Sequence, residues 1–442
     1  MLLGLPSLAF AAGADPSNTH YRALVCIFLH GGNDAHNTVL NTSDLAWSHY
    51  AACRPYSPDS VGLNRSSVIP LELRDGHPDE SYGLHPSLAQ TAKLFNQGDL
   101  SVLANIGPLE EPTSKEAYEA RAVKLPKGLF SHNDQQSTWQ TFGPEGTQIG
   151  WGGQIADKVR HLNGQDMFTA ISMAGSSAWL NGRVVRPYQA DARGGIRLGT
   201  QLDAKGEPRV YGSALLATRL QSVLSTATTS QLAQDAVAIH QRAMQAERIL
   251  ERALPRVPAD ELKIPLAWEC ELSHQLKTVV TMMRAHRALG IRRQFFFVGM
   301  HGFDTHDRQK IRHRALLADL DKGLAYFNQA LKLSNLFNSV TTFTASEFGR
   351  TLTTNGDGTD HGWGGHHFVM GGQIRGQTIC GALPPSGWRQ SDNHFDEAPH
   401  LIQNGVLIPQ LSCGELHHSL DNWMSGQRQT SDLAHLFRPS PH

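Results

Sequence analysis

The chain is poor in charge and has no excess of either sign. Charged residues make up 18% of its 442 positions, and 39 Lys and Arg nearly balance 40 Asp and Glu. Such a surface has no strong field to draw a polyanion, so a nucleic-acid partner is disfavoured. Cysteine is scarce as well. Cys26, Cys53, Cys270, Cys380 and Cys413 are odd in number, widely spaced and without a C-x-x-C pair, which excludes zinc ribbons and thioredoxin chemistry. One or two disulfides and buried free thiols both remain open. No stretch approaches the ~20 apolar residues that span a bilayer, so no transmembrane segment is expected. There is no internal repeat, and no G-x-S-x-G frame for a nucleophile elbow, which disfavours a conventional Ser-His-Asp hydrolase.

What is abundant is glycine, with 41 residues, and histidine, with 23, many of them beside Asp, Gly or another His. That pairing points to loops carrying a metal or acid/base site. Residues 1–14 (MLLGLPSLAFAAGA) are apolar, end in small residues and contain Ala9-Phe10-Ala11 in the A-x-A cleavage pattern. They resemble the second half of a secretory signal without its basic start. A truncated signal peptide is expected, with an apolar arm as the alternative, and the rest of the chain is expected to be exported.

Residues 23–29 (ALVCIFL) form a continuous apolar run closed by His30-Gly31-Gly32-Asn33-Asp34, the pattern of a buried parallel strand ending in a tight turn. Further strands are expected at 100–106, 168–173, 294–298 and 340–344, with another entered at 368–370. Helices are expected at 86–96, in two or three segments between 215 and 289, and at 314–331, where Leu316, Leu317, Leu320, Leu324 and Phe327 keep helical spacing. Residues 191–206 read as a surface loop. The alternation argues an α/β fold of three αβα layers around a central, mostly parallel sheet, in a single domain over 20–442 with a helical insertion around 215–290.

Three of these strands end in polar clusters: Asn33, Asp34 and Asn37; Asp304 and His306; Glu347 and Arg350. Parallel strands bring such ends to one edge, where open α/β sheets bind their ligands. Asp360, His361, His366 and His367 follow in a glycine-rich loop, and carboxylates with neutral imidazoles suit zinc, manganese or iron. Ser131 and His132 complete the set. A serine beside a metal needs no histidine base, because the cation stabilises its alkoxide. Its plain alternative is a helix N-cap.

At these residues the chain resembles the exported bacterial family known as domain of unknown function 1501. The resemblance runs through LHGGNDAHN, LFSHNDQQSTWQT, GFDTH, TASEFGRT, GTDHGWGGHH and VMGG in order. That family in turn resembles the alkaline phosphatase and sulfatase superfamily. The resemblance implies an alkaline phosphatase-like fold and one or two divalent ions, zinc or manganese. It implies metal ligation by Asp34, Asp304, His306, Glu347 and His361, with Asp360, His366 or His367 as substitutes, and Ser131 as nucleophile. Phe348 stands where the superfamily has a second metal histidine.

The implied activity is hydrolysis of a phosphate or sulfate ester on a small molecule or glycan in the periplasm or outside the cell. Arg350 would clamp the anion and His132 would act as general acid or hold a ligand in place. The alternatives are a non-catalytic metal-containing scaffold or carbohydrate-binding protein, and a one-metal esterase using a metal-bound water.

Overall fold

The computed structural model describes residues 20–76, 80–190, 200–202, 208–210, 213–224, 230–254, 262–383 and 398–427, together with 433 and 436. The expected signal segment at 1–14 lies outside the described residues, as does most of the loop expected at 191–206.

Nine strands make the main sheet: β1 (Arg22–His30), β2 (Leu100–Gly107), β3 (Ala170–Ser172), β4 (Tyr188–Gln189), β5 (Arg293–His301), β6 (Val340–Ala345), β7 (Gly365–Met370), β8 (Ile379–Cys380) and β9 (Leu411–Ser412). Their order is β8-β2-β7-β6-β1-β5-β3-β4, with β9 also on β2. β1 pairs in parallel with β5 and β6, β5 with β3, and β3 with β4. Only β7 runs antiparallel to its neighbours, β6 and β2. This reversal matters for the site, because the start of β7, not its end, reaches the edge where β1, β5 and β6 finish.

Among the described residues the α-helices longer than five residues are α1 (Asp44–Cys53), α2 (Ala89–Asn96), α3 (His132–Thr141), α4 (Trp151–Val159), α5 (Ala214–Leu224), α6 (Gln231–Ala253), α7 (Glu271–Arg284), α8 (Gln309–Leu333) and α9 (Cys413–Ser425). The stretch expected to be a helical insertion carries α5, α6 and α7.

Layering follows from the two-residue period of a strand. On β1, Ala23, Val25, Ile27 and Leu29 face one core, shared with α2, α7 and α8. Leu24, Cys26 and Phe28 face the other, shared with α3, α4 and α9. Both faces are dry, which is why β1 reads as an unbroken apolar run rather than an alternating one. Leu317, Leu320, Leu324, Phe327 and Leu331 of α8 are buried in steps of three and four, one stripe on the sheet. Each such side chain contributes roughly 1.5–3 kcal/mol by burial. α9 starts at a capping box, Ser412 with Glu415, and stops at Gly426 in the left-handed region. The five cysteines are free, four of them buried. Among the described residues, no helix is long and apolar enough to cross a membrane.

Candidate metal centre

The turn after β1 sets how closely the strand ends approach one another. Gly31 and Gly32 have φ of 117° and 86°, and a Cβ on Gly31 would lie 2.2 Å from the Asp304 backbone nitrogen. A Cβ on Gly32 would lie 2.2 Å from the Phe348 ring. Glycine is therefore required twice, by backbone conformation and by space. Gly31 N–H donates to Glu347 Oε1 at 2.8 Å, which ties the β1 turn to the end of β6.

Asp304, three residues beyond β5, is the centre of the cluster. Its Oδ1 lies 3.0 Å from Arg350 Nη1, 3.0 Å from His306 Nε2 and 3.4 Å from His361 Nε2, and its Oδ2 lies 3.5 Å from His132 Nε2. The Nε2 atoms of His306 and His361 are 2.9 Å apart. Burial pushes the Asp304 carboxyl pKa up, but the Arg350 hydrogen bond and charge outweigh it and hold it below the ordinary value.

Each imidazole is pinned from behind. His132 Nδ1 lies 2.9 Å from Glu347 Oε1, His306 Nδ1 lies 3.1 Å from Asp360 Oδ1, and His361 Nδ1 lies 2.7 Å from the Phe130 carbonyl oxygen. Carboxylate and carbonyl oxygens only accept, so all three Nδ1 atoms carry the proton. In the neutral rings the Nε2 lone pairs of His306 and His361 then face each other, and all three Nε2 atoms face the Asp304 carboxylate. Bare lone pairs at these separations repel, and a cation among them removes the conflict. Ligands on a tetrahedral zinc ion at about 2.0–2.1 Å sit ~3.3 Å apart, close to the 3.4 Å from His361 Nε2 and the 3.5 Å from His132 Nε2 to the Asp304 oxygens. Carboxylate or carbonyl acceptors behind ligating histidines are the usual device that fixes such rings. The residues present thus fit a divalent ion. His132, Asp304 and His361 have donor atoms all within 4.8 Å of one another.

The loops that deliver these rings are strained or tight. Phe130 has φ of 72°, uncommon outside glycine, and this turns its carbonyl to His361. Gly358 packs where a Cβ would lie 2.2 Å from the His306 backbone. Burial lowers the pKa of His361, whereas the Glu347 hydrogen bond raises that of His132.

The remaining residues singled out from the sequence take other places. Asp34 is fully buried and its carboxylate is met by Arg54, with Nη1 2.7 Å from Oδ2 and Nη2 3.1 Å from Oδ1, and by Gln309 Nε2 at 2.5 Å. The positive charge that a cation would have supplied to Asp34 comes from a guanidinium instead. Glu347 approaches the cluster through His132 and the Gly31 amide, behind the imidazole rather than beside Asp304. Asp360 likewise stands behind His306 and also accepts from Asn355 Nδ2 at 2.9 Å. His366 is buried on β7, with Nδ1 accepting from the Asn105 amide at 2.9 Å, and His367 packs against Trp139. Burial pushes the pKa of both down to about 3.

Arg350 is fully buried. It donates to the Gly31 carbonyl, to Thr359 and to Asp304, so it fixes Asp304 rather than offering an open fork to an anion. Ser131 is the N-cap of α3, and its side chain makes no cap hydrogen bond. Phe348 packs on His361 and His132 with centroids 4.7 and 4.9 Å away. Sequence reasoning missed two partners: Arg54, a lone arginine at a helix end, and the Phe130 carbonyl, a backbone group with no side-chain signal.

No curated protein matches the sequence significantly. Solved structures with distant likeness include PsFucS1 sulfatase from Pseudoalteromonas sp., at 8% identity and TM-score 0.34 over 93% of this chain and 68% of that one. Phosphonate monoester hydrolase SpPMH from Silicibacter pomeroyi aligns at 9% identity and TM-score 0.36, over 95% and 78% of the two chains. The putative sulfatase yidJ from Bacteroides fragilis aligns at 12% and 0.35, over 96% and 79%. At these scores the likenesses carry no argument about the site. The family described as "Protein of unknown function (DUF1501)" matches residues 21–407, and the chain belongs to that family.

Proposed function

We propose that the chain is a metal-dependent hydrolase of phosphate or sulfate esters of the alkaline phosphatase superfamily type, acting outside the cytoplasm, with one zinc or manganese ion held by His132, Asp304 and His361 and with His306 beside them. The observation that carries this reading is the convergence of three Nδ1-pinned imidazoles on one carboxylate. A divalent ion there polarises the ester and favours the ionised form of an attacking hydroxyl.

The chain's own residues do the rest. Glu347, Asp360 and the Phe130 carbonyl hold the three rings, and Arg350 holds Asp304. Ser131, next to His132 in the chain and with its hydroxyl uncommitted, is the nucleophile. It sits at the uncapped N-terminus of α3, whose positive dipole end favours an anionic ester. The Ser131 Oγ bond to phosphorus or sulfur forms as the alcohol leaves. The serine proton passes to solvent, and the leaving alcohol takes one from it. Water then cleaves the seryl ester, releasing phosphate or sulfate. His132, with its ring pinned by Glu347 and its Nε2 turned to Asp304, serves as ligand rather than general acid in this scheme.

Phe348 favours a second reading, a one-ion esterase with water as nucleophile, because its ring fills the space against His132, His361 and Gly32 where a second ligand set would stand. Elemental analysis followed by an aryl phosphate and aryl sulfate screen separates the outcomes. Loss of turnover in Ser131→Ala with metal retained supports the seryl route, whereas unchanged turnover supports water. Protein that binds no zinc or manganese refutes both.

A further inference from the structure

Beside the cluster lies a second imidazole pair that the proposed chemistry does not use. His30 and His301 end β1 and β5 in direct register. Their rings stack with centroids 4.4 Å apart and planes within 8°. The pair is built in from below, since His30 also packs on Phe28 at 4.7 Å and faces Phe297 at 6.3 Å. Gly299 leaves room for it, as a Cβ there would lie 3.4 Å from His30 Nε2. His301, on the outer side, is exposed.

The pair is continuous with the candidate metal centre. His30 precedes Gly31, whose amide holds Glu347, and the His30 carbonyl accepts from the Phe303 amide beside Asp304 at 3.0 Å. The Gln136 side chain reaches the His30 ring from α3, one turn after His132 and on the same helix face. The two sets of rings differ in one respect. Every imidazole of the cluster is tied at Nδ1 to a carboxylate or carbonyl oxygen, whereas in the stack His30 meets the neutral Gln136 side chain and His301 is open to solvent. Burial and the neighbouring imidazole push the His30 pKa down to about 4, so that ring is neutral at physiological pH.

A flat, supported pair of rings whose outer member is exposed, set beside a site for an anionic ester, has the chemistry of a ring-binding platform. We infer that the His30–His301 stack with Gln136 is the subsite for the alcohol portion of the ester, and that this portion is a ring, aryl or pyranose, lying against the exposed His301. This assignment rests on the ester-hydrolase reading above and deepens it.

The test is calorimetric binding to zinc-loaded protein of three probes: inorganic phosphate, phenyl phosphate and glucose 1-phosphate. A ring seated on His301 makes at least one of the two esters bind about three- to tenfold more tightly than phosphate. His301→Ala removes that increment without changing phosphate affinity, and His301→Phe restores it for the aryl probe. The ester that shows the increment tells an aryl from a pyranose subsite. Equal affinity of all three probes in the native protein, or an equal loss for all three in His301→Ala, overturns the platform and leaves the hydrolase reading standing. Failure of every probe to bind overturns the hydrolase reading, and the subsite falls with it.

Discussion

Asp34 offers the sharpest test of how this site is built, because the sequence pattern makes it a metal ligand while the fold gives it a guanidinium. Folding takes its pKa from the ordinary ~3.9 to about 2, against the upward push of burial, because Arg54 sits on both oxygens. Roughly two units at about 1.4 kcal/mol each is worth about 2–3 kcal/mol of stability. A depressed carboxylate pKa stabilises fully above the unfolded value, and the contribution is lost as pH falls from about 4 to about 2. Removing the carboxylate costs more than that, because Arg54 stays buried with hydrogen bonds to Asn37 and the Leu352 and Thr351 carbonyls but no counter-charge. Breaking such a pair costs about 3–5 kcal/mol. Asp34→Ala should therefore lower the free energy of urea unfolding by about that amount, equally in zinc and in chelator. Its zinc stoichiometry should match the native protein wherever it is folded. A stability loss that disappears in chelator, or a drop in bound zinc at full folding, would refute the ion-pair reasoning and return Asp34 to the metal.

Four further outcomes are expected. His361→Ala should lower bound zinc or manganese by elemental analysis in folded protein, and unchanged content would place the ion elsewhere. Glu347→Gln should weaken zinc about 10- to 100-fold in chelator competition without abolishing it, the behaviour of a group that orients His132 rather than ligating directly. Gly31→Ala should cost roughly 3 kcal/mol or more by thermal or urea unfolding, since both its φ and its contact with Asp304 exclude a Cβ. Finally, His85, His313, His366 and His367 are buried with pKa values lowered to about 3, 4, 3 and 3. The unfolded chain binds their protons first, so each withdraws about 1.4 kcal/mol of stability per pH unit below its unfolded value of ~6.5. Chelated protein should lose stability steeply between pH 6.5 and 4, and a flat profile there would contradict their burial.

Much of the architecture was legible because it rests on local pattern. An unbroken apolar run such as 23–29, closed by a glycine-rich turn, fits a strand of an α/β fold covered on both faces, and the residues after such a strand fall at the sheet edge. Asp304, His306 and His361 were read from the sequence on that ground together with the family resemblance, and the fold brings all three together. The antiparallel course of β7 was not legible, since strand direction leaves no mark on a segment as short as Gly365–Met370.

The division within the candidate site has the same cause. Residue type and strand-end position, which the sequence carries by itself, select the acidic and imidazole groups able to reach one edge. Which of them face inward depends on partners far away in the chain. Arg54 lies 20 residues from Asp34 and removes it from the cluster. The Phe130 carbonyl, 231 residues from His361, turns that imidazole toward Asp304, and Glu347, 215 residues from His132, does the same for that ring. Charge pairing and tautomer choice are set by contacts across the fold, so the sequence determined the inventory of ligands and the strand ends that carry them. Only the tertiary structure decided which lone pairs converge and which carboxylates stand behind them, because a hydrogen bond or ion pair exists only where packing brings both partners within about 3 Å.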